Sequence, residues 1–423
     1  MEEKIQQAYT DILKEELKTA MGCTEPIAIA YCAAYARKLL GKMPESCEVS
    51  CSGNIIKNVK AVTVPQTGGL KGIEAATLAG LIGGDADKQL EVLTTVSDED
   101  RAEIKRLLGS GLVNVEILES RHSLHIIVEL KAGADDVSVE IVDSHTGLGN
   151  VVKNGKTLHK REELTKKREE LEYDLLNIKD ILEYADIVDL KTVSDVLKNQ
   201  IEKNYGIAQE GLKHEWGAAV GKTILNSEKN GIQTMAKAMA AAGSDARMNG
   251  CSMPVVINSG SGNQGLTASL PVIVYAKDCG TDTDALMRAL CVSNLVAIHQ
   301  KTSIGKLSAY CGAVCAAAGA ISGIAYLQGA SREVIEQSII NTITNVGGMV
   351  CDGAKSSCAG KIATALECAF LGYELAKSNH GFRNGEGIVK ENVEKTIASV
   401  GRMARDGMHE TDKEILEIMV RKK

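Results

Sequence analysis

Aromatic side chains are nearly missing from this 423-residue chain: they make up 3% of it, with two Phe and one Trp. A core with so few rings has to be filled by aliphatic and small side chains. The 41 glycines let helices approach each other backbone to backbone. Surplus positive charge is lacking too. The net charge is −7, which gives no footing for a nucleic-acid or anionic-membrane partner. The opening Met-Glu-Glu-Lys has no basic-then-apolar run, so export is not expected and a cytoplasmic protein is. Long hydrophobic runs are absent with one exception. Residues 307–331 carry no charge and could span a bilayer by length. They are mostly Ala, Gly, Ser and Cys, however, and read as a helix buried inside a soluble domain.

The remaining composition, 44% hydrophobic and 24% charged, is that of an ordinary globular protein long enough for two or more domains. Twelve cysteines are spread through the chain. Their dispersal excludes a small disulfide-stapled domain, and reduced thiols are expected. Each thiol then has to be weighed between simple burial and chemistry.

Residues 2–20 show helical spacing of Ile5, Tyr9, Ile12, Leu13 and Leu17. Gly22-Cys23-Thr24-Glu25-Pro26 follows, with Thr24 as N-cap of a second apolar helix over 27–40. From about residue 45 the pattern alternates. Strands are expected at 47–51, 59–64, 113–118, 124–130 and 137–142, and helices at 72–81 and 98–108. Residues 45–158 thus read as a compact α+β unit. The charge-rich run 160–172 reads as a solvated helix or linker. Beyond residue 175 the pattern is helical, except for an expected strand–loop–strand over 254–275. The fold class expected is α+β: a large, mainly helical domain over 159–423, packed by helices from residues 1–44, with the smaller α+β unit inserted.

Two nucleotide motifs almost form. In Gly217-Ala-Ala-Val-Gly-Lys-Thr223, Trp216 takes the place of the required first glycine, and no strand precedes it. Gly260-Ser-Gly-Asn-Gln-Gly265 spells G-x-G-x-x-G, but Pro271 and a β-like Val-Ile-Val-Tyr run follow at once, against a βαβ unit. The same loop, with Asn258, Ser259, Gly260, Ser261, Gly262, Asn263 and Gln264, offers unobstructed backbone N–H groups. It can cradle a substrate carboxylate or be a flexible turn. His122 and His125, three apart on an expected strand, point to opposite faces and make poor joint ligands.

Cys32, Cys47, Cys51, Cys251, Cys279, Cys291 and Cys368 have no supporting context and read as buried residues. Cys311 and Cys315 lie one helical turn apart, so at most one needs a special role. Cys351 and Cys358 stand at the two ends of one loop, the second opening a helix whose N-terminus favours thiolate. Two loop thiols plus a third from a neighbouring helix make a three-cysteine site, soft enough for an iron–sulfur group or zinc. Cys23, just before a helix start, is either a packed turn residue or a base or nucleophile with a lowered pKa.

Four segments carry a resemblance. They are Gly22-Cys-Thr-Glu-Pro26, Gly250-Cys-Ser-Met-Pro254 leading into the 258–265 loop, Ala309-Tyr-Cys-Gly-Ala-Val314, and Gly348-Met-Val-Cys-Asp-Gly353 with Cys358. In this order they resemble the L-cysteine desulfidase family. Its helical domain is similar to the α-subunit domain of bacterial iron–sulfur L-serine dehydratases. The resemblance implies one [4Fe–4S] cluster per subunit held by Cys311, Cys351 and Cys358, with one iron open, and Cys23 as proton acceptor. Thr24 and the Gly260 loop would hold the substrate. It implies a pyridoxal-phosphate-independent lyase of amino-acid catabolism that acts on a small amino acid, with no nucleic-acid or membrane partner. A homo-oligomer would suit the Gly/Ala-rich helices. The dehydratases' Cys-Gln-x-Glu-x-Gly reads here Cys311-Gly-Ala-Val, and their Cys-Asp-Pro-Val reads Cys351-Asp-Gly-Ala. These departures point away from serine as substrate more than away from the cluster. Zinc-stabilised scaffolding and ligand binding without a cluster are the non-catalytic alternatives.

Overall fold

Alternating β-branched residues build a six-stranded sheet from β2 (Ser46–Ser52), β3 (Val113–Leu118), β4 (His125–Ala132), β5 (Asp135–Val142), β6 (Leu148–Lys153) and β7 (Lys156–His159), after a short β1 (Thr19–Met21). Its order is β3-β2-β4-β5-β6-β7. Only the β2–β3 pair is parallel, and the long connection between them carries α3 (Gly53–Val59), α4 (Gly72–Gly83) and α5 (Asp98–Leu107). The computed structural model describes residues 1–21, 24–120, 122, 124–161, 171–305 and 308–420. Most of the charge-rich run 160–172 therefore lies outside the described residues.

One face of the sheet is closed by α2 (Thr24–Leu40), whose Ile27, Ile29 and Tyr31 join Val49, Val128 and Val139 in one core. A side chain at Gly80 of α4 would overlap the carbonyl of Ala30, so α2 and α4 meet at backbone distance. The second core is all-helical. It takes α1 (Glu3–Glu16), α6 (Ile178–Ile187), α7 (Ser194–Lys213), α9 (Ile232–Met248), α10 (Gly262–Asp278), α11 (Thr283–Ile304), α12 (Gly312–Leu327), α13 (Arg332–Asn345), α14 (Cys358–Lys377) and α15 (Val393–Arg402), while α8 (Val220–Ser227) packs in a small cluster on α9 and α14, and α16 (His409–Val420) sends Leu416 to the sheet core. The chain is thus mixed α+β and mainly helical, as its pattern implied.

Small residues do what the shortage of rings demanded. A side chain at Gly319 of α12 would overlap the Ser293 carbonyl, and one at Gly323 would come within 2.7 Å of the Ala289 carbonyl. Helix α12 is buried on every side, and among the described residues no helix is long and apolar enough to cross a membrane.

Three expectations need correction. The two N-terminal helices part company. In α1, Tyr9 donates to the Leu175 carbonyl at 2.8 Å and Thr10 bonds Tyr184 at 2.9 Å, in the helical core. Helix α2 belongs to the sheet core instead, because almost all of its surface is apolar and needs cover on both sides. Residues 59–64 are not a strand: α3 ends at Val59 and a turn follows. The run 254–275 is a short strand, β8 (Pro254–Val256), then α10. Helix α10 is so completely buried that no polar face marks its period, and Pro271 sits inside it. β8 pairs antiparallel with β1, Met21 opposite Pro254, so the unit is not βαβ.

Candidate functional site

The ends of α9, α10, α12 and α14 converge: Met248 packs with Cys358, Arg247 lies against Gly262 and Gln264 over Gly312, and His145 feels both Arg247 and Glu25 of α2. Cys311 is the N-cap of α12, Cys351 lies in the loop after α13, and Cys358 opens α14. A two-residue ladder sets the first pair. The Cys311 N–H donates to the Met349 carbonyl at 2.9 Å, and Tyr310 and Val350 form an antiparallel bridge. The three thiols influence one another electrostatically and are partly exposed. Burial, and then the neighbouring Cys351, push the Cys311 thiol up to about 12; burial also raises Cys358. A metal-coordinated thiol is deprotonated, so a bound metal cation would oppose these upward shifts.

Three lysines surround this group. Lys361 donates to the Val350 carbonyl at 2.7 Å and pairs with Asp352, which also pairs with Lys355 at 2.5 Å. Although burial opposes it, these two ammonium groups hold Asp352 at about 2. Burial lowers Lys301 on α11, against the pull of Cys315, Cys351 and Cys311. The donor set is therefore three soft thiols in a cationic surround, which suits a net-negative thiolate-held group. Among the described residues no three of His, Cys, Asp and Glu stand close enough to hold a single metal ion.

Gly353, at φ +91, holds the loop against α3 of the sheet core: a side chain there would overlap the Lys57 carbonyl. Gly353→Ala is expected to cost about 2–3 kcal/mol of local strain. It should lower iron uptake on anaerobic reconstitution, read as iron per chain beside the wild type.

The loop before α10 is a tight turn, with Ser259 at φ +49 and Gly260 at φ +75. Ser261 caps α10. Asn258 is turned inward, where its amide donates to Asn294 Oδ1 at 3.0 Å, so its side chain braces the core. Asn263 Oδ1 accepts from Arg247 at 3.3 Å, and the amide of Gln264 lies over Gly312, beside Cys311. Thr24 donates to Glu25 Oε2 at 3.2 Å at the start of α2. Cys23 lies outside the described residues, between the end of β1 and the start of α2.

Sequence reading missed Arg247, Lys361 and His145. Arg247 precedes a segment singled out for its cysteine, and Lys361 closes another. His145, on the β5–β6 turn, has its imidazole lowered by burial, with Glu25 opposing and Arg247 adding. A histidine among Ser, Thr and Gly was the available signal. His299 of α11 is bonded to Glu394 at 2.7 Å. His122 precedes β4 rather than lying on it. Its ring therefore meets that of His125 edge-on at 5.7 Å, against the expectation of opposite faces. Each has its own carboxylate, Asp143 and Glu140, both at 2.7 Å. Cys279 is exposed rather than buried, and Cys368 is partly so.

Next to the site, burial raises Asp245 to about 6, although its carboxylate accepts from the Gly221 N–H at 3.0 Å. A carboxyl whose pKa rises on folding stabilises below the unfolded value of 3.8, and that contribution is lost as pH passes through about 6. At 1.36 kcal/mol per pKa unit the loss is roughly 3 kcal/mol. Asp245→Asn keeps an acceptor for Gly221 and should unfold at higher urea than the wild type at pH 8, with a smaller margin at pH 5. Equal margins at both pH values would count against this account.

Comparison with known proteins bears on the same region. Residues 87–417 match the family described as serine dehydratase alpha chain, a span that contains all three thiols and Arg247. Over its whole length the chain is similar to proteins named UPF0597. One from Lachnoclostridium phytofermentans is 52% identical over 97% of this chain and 98% of its own. One from Finegoldia magna is 49% identical over 98% and 99%, and one from Treponema denticola 46% identical over 98% of each.

Proposed function

The chain belongs to the serine dehydratase alpha chain family, and from that premise we propose that it is an iron–sulfur lyase that eliminates sulfide from L-cysteine. Family membership supports a lyase-type role at the coarser level. The finer reading rests on one observation: three thiols from the start of α12, the loop after α13 and the start of α14, gathered among Lys301, Lys355 and Lys361.

Cys311, Cys351 and Cys358 would hold the cluster. When bound, the cluster supplies a Lewis-acidic iron with an open position for the leaving heteroatom. The chain's own groups do the rest. Cys23, which precedes α2 in the sequence, would take the Cα proton as a thiolate, the form that a following helix N-terminus favours. Thr24 and the turn 259–261 orient the polar end of the substrate against that base. As the Cα–H electrons form the Cα–Cβ double bond, the Cβ–S bond breaks and sulfide leaves. The aminoacrylate released tautomerises and takes up water to give pyruvate and ammonia. No step calls on pyridoxal phosphate.

L-Serine dehydration is the second reading, favoured by the name of the matching family. The test is pyruvate release by anaerobically purified protein from each amino acid. A higher kcat/KM with cysteine supports desulfidation, a higher one with serine supports dehydration, and inertness with both removes the lyase reading.

A further inference from the structure

The lyase reading gives the reacting atoms their partners and sets Thr24 and the turn 259–261 beside the polar end, but it gives the carboxylate no charged partner and the ammonium no acceptor. Five described side chains bury a polar atom that has no partner: Ser244 Oγ, Asp245 Oδ1, Arg247 Nε, Gln264 Oε1 and Tyr310 OH. Such atoms are costly to leave unpaired, and each needs an explanation. Arg247 and Gln264, one donor and one acceptor, are neighbours in space. Arg247 is 4% and Gln264 7% exposed. The Arg247 guanidinium lies against Gly262, where any side chain would overlap Nε, and bonds Asn263, the residue before Gln264. The Gln264 amide lies over Gly312, whose Cβ would come within 2.5–2.7 Å of it, next to Cys311.

The Arg247 partner is a neutral amide oxygen, and among the described residues no carboxylate is in hydrogen-bond contact with it. A guanidinium buried this far is usually matched by an anion, and its planar fork suits a carboxylate. Gln264 Oε1, on the cluster side, can only accept.

We propose that Arg247 binds the α-carboxylate of the substrate and that Gln264 Oε1 accepts from its α-ammonium, so that the site reads a free α-amino acid. The inference rests on the lyase reading of the same site and adds its specificity. It requires that amines without the carboxylate, and N-acylated amino acids, be rejected.

The test is anaerobic calorimetric binding to the cluster-containing protein. The probes are L-alanine, which has both charged ends but no leaving group, ethylamine and N-acetyl-L-alanine. The expected result is that L-alanine binds and the other two bind roughly 100-fold more weakly or worse. Arg247→Gln should lose L-alanine affinity by roughly the same factor, Arg247→Lys should lose less, and iron content should not change. Ethylamine binding as tightly as L-alanine would overturn the proposal. So would L-alanine failing to bind, or a folded Arg247→Gln protein with wild-type affinity. If that variant does not fold, the comparison of ligands on the wild type still decides. Pyruvate release by the wild type separates the two readings. Release with unchanged Arg247→Gln affinity removes only the clamp, whereas discrimination between ligands without release removes only the lyase chemistry.

Discussion

Changing any one of Cys311, Cys351 and Cys358 to serine is expected to remove most of the bound iron and to cut pyruvate release by about a thousandfold or more. A Lewis-acidic metal contributes several kcal/mol to the transition state, and each 1.36 kcal/mol is tenfold in rate. A serine hydroxyl is a hard, weakly acidic donor that does not replace a soft thiolate. The fold should survive, because all three residues are partly exposed and lie at helix starts or in a loop. Cys279→Ser, at an exposed thiol outside the site, is the control and should keep both iron and activity. Iron retained by all three variants would contradict the assignment of the ligands.

Cys23→Ala should behave differently. Iron content and visible spectrum should match the wild type, while kcat falls by about 10²–10⁴, the usual worth of a positioned base. Exchange of the substrate Cα proton with deuterated solvent should fall with it, since that exchange needs the base and not the leaving group. The helix that follows begins at Thr24, and a helix N-terminus favours a thiolate in the residue that precedes it. A variant that keeps rapid Cα exchange would move the base elsewhere, and His145, which senses both Glu25 and Arg247, would be the next residue to change.

Much of this could be read from the residues alone, for identifiable reasons. Strands such as Asp135–Val142 bury one face, so their alternation is clear. Helix α5 carries a capping box at Ser97 and Asp100, and its limits follow. Helix α10 failed because a helix buried all round has no period to read, and its Val-Ile-Val run imitates a strand. Helix α2 was legible as a helix, but which core it joins depends on Gly80 and the sheet, distant in sequence. The candidate site divides in the same way. Cys351 and Cys358 share a loop and could be singled out by spacing. Cys311 became their companion only through the family resemblance and the ladder to Val350. Arg247 carries no local signal. Its interest lies in what surrounds it, a buried guanidinium bonded to a neutral amide.

The most direct measurement is iron and acid-labile sulfide per chain in protein purified without air, together with its visible spectrum. The account predicts brown protein with about four irons and four sulfides per chain, bleached on exposure to air. Colourless protein that takes up no iron from ferrous ion and sulfide, or that holds one zinc and ignores air, would contradict it.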